Sequence, residues 1–159
     1  MKIFAGFLMC LLLSNAATAG VPVVPALDQA SLLASHDQQL AANKRLVFDF
    51  WRTILVGRHL EQAQSFLRED YIQHNPNVPT GLKGFIEFVK RRGPPQEIPA
   101  SISDLVTIRA EGDMVTLAFV DERPNPAGGV YTTTWFDMFR IQKGKIAEHW
   151  DCAPLHPEQ

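Results

Sequence analysis

Gly144-Lys145-Ile146-Ala147-Glu148-His149-Trp150-Asp151 is the stretch whose reading decides the fold. Lys143-Gly144 is a tight-turn signal, so the stretch reads as the return arm of a hairpin whose first arm is Val130 to Gln142. Lys145, Glu148, His149, Trp150 and Asp151 crowd into it. A strand built only to fill a core would not carry that load, because a buried charge is costly unless paired or hydrogen-bonded. Something polar is held there or done there.

A two-residue turn sets Gln142 opposite Lys145, and the register runs back from that pair. Arg140 then faces Ala147, Met138 faces His149 and Phe136 faces Asp151. On the other face Phe139 meets Glu148, Asp137 meets Trp150 and Trp135 meets Cys152. Each face mixes aromatics with acids, and a one-residue bulge would exchange the partners.

Upstream lie two more strands, Ser101 to Glu111 and Met114 to Glu122, joined at Gly112-Asp113. Arg123 to Gly129 holds two prolines and two glycines and makes a longer loop. Before the strands the period changes. Leu40, Val47, Phe48, Trp51, Ile54 and Leu55 recur at helical spacing and stop at Gly57. A short helix over His59 to Leu67 and a third over Gly81 to Arg92 follow. Tyr71-Ile72-Gln73-His74 between them is extended and broken by Asn75-Pro76. Helices first and an antiparallel sheet afterwards give an α+β class, with the helices laid across one face of a curved sheet.

Lys2, the apolar run Ile3 to Leu13 and the small-residue pattern Ala17-Thr18-Ala19 read as a secretory signal peptide over 1–19, too short to span a bilayer. The expected location is periplasmic or secreted, with no membrane attachment after cleavage. Residues 20–36 read as an extended leader, 37–153 as one domain and 154–159 as a tail. About 140 residues are ordinary for a single core. A formal net charge of -2 offers nothing to nucleic acid. Cys152 is the one cysteine after the leader, so no internal disulfide is expected, and it reads as a small buried apolar residue.

The runs Tyr71-Ile72-Gln73-His74-Asn75-Pro76 with Gly81 and Gly84-Phe85, and Phe136-Asp137-Met138-Phe139-Arg140 with Gly144-Lys145-Ile146 and His149-Trp150-Asp151, carry a resemblance. The chain from about Asp37 to Cys152 resembles the SnoaL-like polyketide cyclases of the nuclear-transport-factor-2-like superfamily. The resemblance implies a cystatin-like cone: a curved antiparallel sheet wrapped around N-terminal helices, with an internal pocket, and a homodimer through the sheet face. It implies a pocket aspartate on the last strand, matched by Asp151, and so favours the face of Phe136, Met138, His149 and Asp151. The epoxide hydrolases of this fold add an arginine and a second aspartate. Asp121 matches the aspartate, but Phe119 stands where the arginine would be, which speaks against epoxide hydrolysis.

For an aldol-type cyclase or isomerase, a carboxylate in an apolar pocket is a suitable acid/base, since desolvation raises its pKa toward the working pH. Asp151, His149 and His74 are the catalytic candidates; Tyr71, Asn75, Phe136, Met138, Asp137 and Trp135 are the substrate-binding candidates. His74 and Asn75 would donate to an enolate oxygen. Competing readings stand beside these. Asp151 with His149 is a structural pair, His74-Asn75-Pro76 is a turn, Asp137 pairs with Arg140 or Arg109, Trp51 and Trp135 are core or interface, and Lys90-Arg91-Arg92 is a solvated helix end. The histidines are scattered, and the one ligand set of suitable type, His74, His149 and Asp151, is weak support for a metal. No cofactor is expected. Two functions follow: a cofactor-free lyase or isomerase on a small apolar carbonyl compound, or a non-catalytic module binding a small apolar ligand. A cavity holding Asp151 favours the first; a filled cavity, or Asp151 tied to an arginine at the surface, favours the second.

Overall fold

A computed structural model describes residues 20–156. The signal-peptide segment lies outside them. Helix α2, Gln38–Phe50, starts on Asp37, whose carboxylate accepts from the N–H groups of Gln39 and Leu40. It runs into a π-helical stretch, Trp51–Val56, that ends at Gly57. The Gly57 N–H donates to Arg52 O five residues back (2.8 Å). A Cβ on Gly57 would sit 2.9 Å from Thr53 O and 3.0 Å from Arg52 O, so glycine is required by the approach of those carbonyls. The expected second helix is a 3-10 turn, Leu60–Gln62, followed by one helical turn, α3, Ala63–Phe66. The third is α4, Leu82–Lys90.

The leader is less extended than its prolines suggest. It holds one helical turn, α1, Gln29–Leu32, capped by Asp28. Buried Lys44 of α2 pins the end of that turn by donating to the carbonyls of Leu32 and Ala34.

Five strands form one sheet: β1 Leu67–Gln73, β2 Leu105–Glu111, β3 Met114–Pro124, β4 Val130–Gln142 and β5 Lys145–Asp151, in the order β1-β5-β4-β3-β2. β2, β3, β4 and β5 pair antiparallel, as expected. β1 departs from this by pairing parallel to β5, with Gln73 beside His149. It enters from the helices rather than from a hairpin, so nothing forces it to run antiparallel. Phe50 of α2, fully buried and not among the apolar positions read from periodicity, is the hub between layers. Its ring meets Phe66, Phe85 and Phe139 at centroid distances of 6.2, 5.8 and 5.8 Å. Side chains of this size stabilise a fold by roughly 1.5–3 kcal/mol each when buried.

The β4–β5 register is the main correction. Lys143 and Gly144 both take positive φ, as a type I′ turn requires, and Gln142 does face Lys145. A bulge then follows: Ile141 pairs with Ile146, but Arg140 pairs with Glu148, leaving Ala147 as the extra residue. Beyond it every pair shifts by one: Phe139 with His149, Met138 with Trp150, Asp137 with Asp151. Ile146 and Ala147 are both buried, which strict alternation forbids, and the bulge is how the strand buries them.

Candidate functional site

The slipped register puts Trp135, Asp137 and Phe139 of β4 on the same face as His149 and Asp151 of β5. That face turns toward the helices and lines a cavity of about 510 Å³. Phe136 and Met138, expected in the pocket, lie on the opposite face and do not line it; Phe136 is 48% exposed. Aromatic rings wall the cavity: Phe50, Trp51, Phe85, Phe119 and Phe88 from the helices and β3 join Trp135 and Phe139. Trp51 stacks on Phe119 at 4.3 Å, so it is a pocket wall as well as a core residue.

At the polar end His149 is the centre. It is 7% exposed, and its ring stacks on Phe139 at 4.4 Å. His149 Nε2 lies 2.7 Å from Asp137 Oδ1. Asp137 is therefore bonded to a histidine, not to Arg140 or Arg109. Arg140 lies on the outer face, where it bonds Glu148 and Asp113. Asp137 is 3% exposed, and its Oδ2 is buried with no hydrogen-bond partner among the described residues. Burial pushes its pKa up. The hydrogen bond and charge of His149 pull the other way, while the charge of Asp151 adds to the rise. The Trp135 side chain pulls it down slightly, although its indole falls short of hydrogen-bond geometry, so Oδ2 counts as unpartnered.

Asp151 is half-buried beside this pair. Its Oδ2 accepts from Asn75 Nδ2 (2.6 Å) and its Oδ1 from the Ala153 N–H (2.9 Å). Asn75 in turn is fixed because its Oδ1 accepts from the Asn77 N–H (2.8 Å). The Asn75-Pro76 turn is thus both turn and site: it closes β1 and delivers an amide to the last strand.

Tyr71 is 1% exposed, and its hydroxyl oxygen accepts from Gln73 Nε2 (3.0 Å). Burial, then the negative charges of Asp151 and Asp137, push its pKa far above the ordinary phenol value, so it stays protonated. The hydroxyl hydrogen has no acceptor among the described residues and can be donated into the cavity. His74 is not in the site. It lies on the outer face, stacked on Trp150 at 4.6 Å and bonded to Glu148 (3.1 Å). Its backbone N–H still bonds His149 O (2.9 Å) and ties β1 to β5.

The structure brings together Asp151, His149, Asp137, Tyr71, Asn75 and Trp135, and leaves out His74, Phe136 and Met138. The metal set of His74, His149 and Asp151 does not form. Asp137, His149 and Asp151 do offer ligand atoms within 4.8 Å of one another. A cation there would have to break the 2.7 Å contact between Asp137 and His149. Gln73 was not foreseen, although alternation with Tyr71 along a strand places both on one face. Arg92 is not purely a solvated helix end either: its guanidinium lies 4.9 Å from the Phe88 ring and reaches the pocket mouth. Cys152, expected to be buried, is exposed: the sheet ends at Asp151, and the thiol beyond it reaches only as far as Phe136 O (3.7 Å) among the described residues.

A model of the SnoaL-like domain matches residues 47–149. No curated protein matches the chain. Among solved structures, a polyketide-cyclase candidate from Acidithiobacillus ferrooxidans is similar with a TM-score of 0.52 at 17% identity, covering 75% of this chain and 90% of its own. An LEH-like epoxide hydrolase from M. tuberculosis gives 0.51 at 14% identity, covering 71% and 83%. A protein of unknown function with a cystatin-like fold from Xanthomonas campestris gives 0.50 at 21% identity, covering 69% and 88%. Identities this low speak to the fold alone.

Proposed function

The chain belongs to the SnoaL-like family, and on that premise we propose that it is a cofactor-free lyase or isomerase acting on a small, mostly apolar carbonyl compound. The observation that carries this reading is convergence. An aspartate held by two donors, a buried aspartate–histidine pair and a protonated tyrosine meet at one end of an aromatic cavity. Titratable groups whose surroundings push them apart are the usual basis of an acid and base assignment.

In this reading Asp151 is the base. It takes the proton from the carbon beside the substrate carbonyl, and the electron pair moves onto the carbonyl oxygen. The Tyr71 hydroxyl donates a hydrogen bond to that oxygen as its charge develops. For an isomerase, Asp151 returns the proton at a different carbon. For an aldol-type closure, the enolate carbon attacks a second carbonyl, the resulting alkoxide takes a proton from the His149–Asp137 pair, and the proton held by Asp151 passes back to that pair through solvent to restore the resting state. Asp151 fits the enzymatic reading because it lies in the cavity and is held by an amide, not by an arginine at the surface. The aromatic walls select apolar substrates and exclude water, which strengthens each polar contact.

We further propose a homodimer through the outer sheet face, where Phe136, Met138 and Trp150 lie, and an exported, periplasmic or secreted setting in which the ligand is met outside the cytoplasm.

The test is α-proton exchange in D₂O, followed by NMR on a panel of small cyclic and aromatic ketones. The wild type is expected to accelerate exchange for at least one compound. Asp151→Asn should reduce that rate about 10²- to 10⁴-fold, the range a positioned acid/base contributes, while the melting temperature stays within a degree or two. Undiminished exchange in Asp151→Asn removes Asp151 from the mechanism. Tight binding with no exchange for any compound favours the non-catalytic module.

A further inference from the structure

One side chain ties together Tyr71, His149 and Asn75. Gln73 Nε2 lies 3.0 Å from Tyr71 Oη and 2.9 Å from His149 Nδ1. Gln73 Oε1 accepts from the Asn75 N–H (2.9 Å) and lies 3.1 Å from the same His149 Nδ1. The Asn75 contact settles which end of the amide is oxygen, since a backbone N–H can only donate. The amide is therefore locked with its nitrogen toward Tyr71 and both ends within reach of one ring nitrogen.

A neutral imidazole protonated at Nε2 donates that N–H to Asp137 Oδ1 and has a bare Nδ1 that needs a donor, which Gln73 Nε2 supplies. An imidazolium carries a proton at Nδ1 as well and needs an acceptor there, which Gln73 Oε1 supplies. We propose that Gln73 is the positioning residue of the site, holding His149 in its Nε2–H form when neutral and, after a small rotation of the amide, accepting a hydrogen bond from Nδ1–H when the ring is charged. The same amide occupies a lone pair of the Tyr71 oxygen, which leaves the hydroxyl hydrogen free to point into the cavity. Its backbone is fixed too. Gln73 and His149 are register partners across the parallel β1–β5 pair, and the Gln73 N–H donates to Thr80 Oγ1 (2.8 Å).

The catalytic meaning of this rests on the acid–base reading above, but the geometry can be tested with no substrate. Nitrogen-15 NMR of the ring nitrogens reports tautomer and charge, and His149 is assigned by the signals lost in His149→Gln. In the wild type, neutral His149 is expected to show a protonated Nε2 and a bare, hydrogen-bonded Nδ1. Gln73→Met keeps the bulk and removes both contacts. It should give a mixture of tautomers or a marked downfield move of Nδ1 toward the unbonded position. Gln73→Glu offers only acceptors and should protonate Nδ1. Thermal melting of each variant serves as the folding control, and either variant alone is sufficient if the other does not fold. A wild-type ring protonated at Nδ1 when neutral overturns the proposal, as does a His149 spectrum unchanged in a folded Gln73→Met or Gln73→Glu. Full exchange activity in Asp151→Asn, with the tautomer still fixed, overturns the acid–base reading alone.

Discussion

Replacing Asp137 by asparagine isolates the electrostatics of the site. The carboxamide oxygen can still accept from His149 Nε2, so shape and one hydrogen bond survive while the titration is removed. In the wild type, burial raises the Asp137 pKa above its unfolded value. A group whose folded pKa is raised contributes stability that is fully present below the unfolded carboxylate pKa. That contribution is lost as pH rises through the folded value. One proton exchanged in this way changes stability by about 1.36 kcal/mol per pH unit at its steepest. For a domain of this size that is roughly 3–5 °C in melting temperature per unit. The assay is urea unfolding of both proteins from pH 4 to pH 8, plotting wild type minus Asp137→Asn. The difference should fall as pH rises and then level off. The other groups facing Asp137 are His149, Tyr71 and Asp151, so the comparison is repeated in a His149→Gln background to separate the histidine's own titration. A flat difference would mean that Asp137 titrates as an ordinary surface acid. A difference that grows with pH would mean that His149 holds Asp137 ionised and that the pair is a plain ion pair. Either result refutes a folded-state Asp137 pKa raised by burial.

Two further outcomes are expected. Gly57→Ala should lower stability by about 1–3 kcal/mol in equilibrium unfolding, because its Cβ would press on Thr53 O and Arg52 O at the end of the π-helical stretch and force the backbone to shift; an unchanged midpoint would mean that this turn yields freely. Phe136→Asp should convert a wild-type dimer to monomer in light scattering while leaving the cavity side of β4 intact, and a wild-type monomer at micromolar concentration would end the dimer proposal.

The fold was legible because its punctuation is strong. Gly112-Asp113, Lys143-Gly144 and the proline-rich Arg123–Gly129 loop mark three hairpins, and the helical period before Gly57 is plain. The site was only partly legible, and the physical reason is one residue. Ala147 is apolar and small, so nothing in its identity announces a bulge, yet the slip decides whether Asp137 or Met138 shares a face with His149. The adjacent buried pair Ile146-Ala147 was the available signal, a break in alternation just after the turn. His74 was misplaced because it is the first residue past β1, where the chain turns and alternation no longer dictates direction. Gln73 went unnoticed because an amide has no chemistry of its own. Its meaning comes from the ring it meets, and His149 lies on a strand far along the chain.

The position of β5 in the order β1-β5-β4-β3-β2 has a consequence for how the protein comes into being. The final strand must insert between the earliest one and the third of the hairpin arms, and it brings His149 and Asp151 with it. A growing polypeptide on the ribosome can assemble its helices and the β2–β4 meander, yet the cavity lacks His149 and Asp151 until β5 has emerged. A chain stopped before β5 would leave β1 without its strand partner and the cavity without His149 and Asp151.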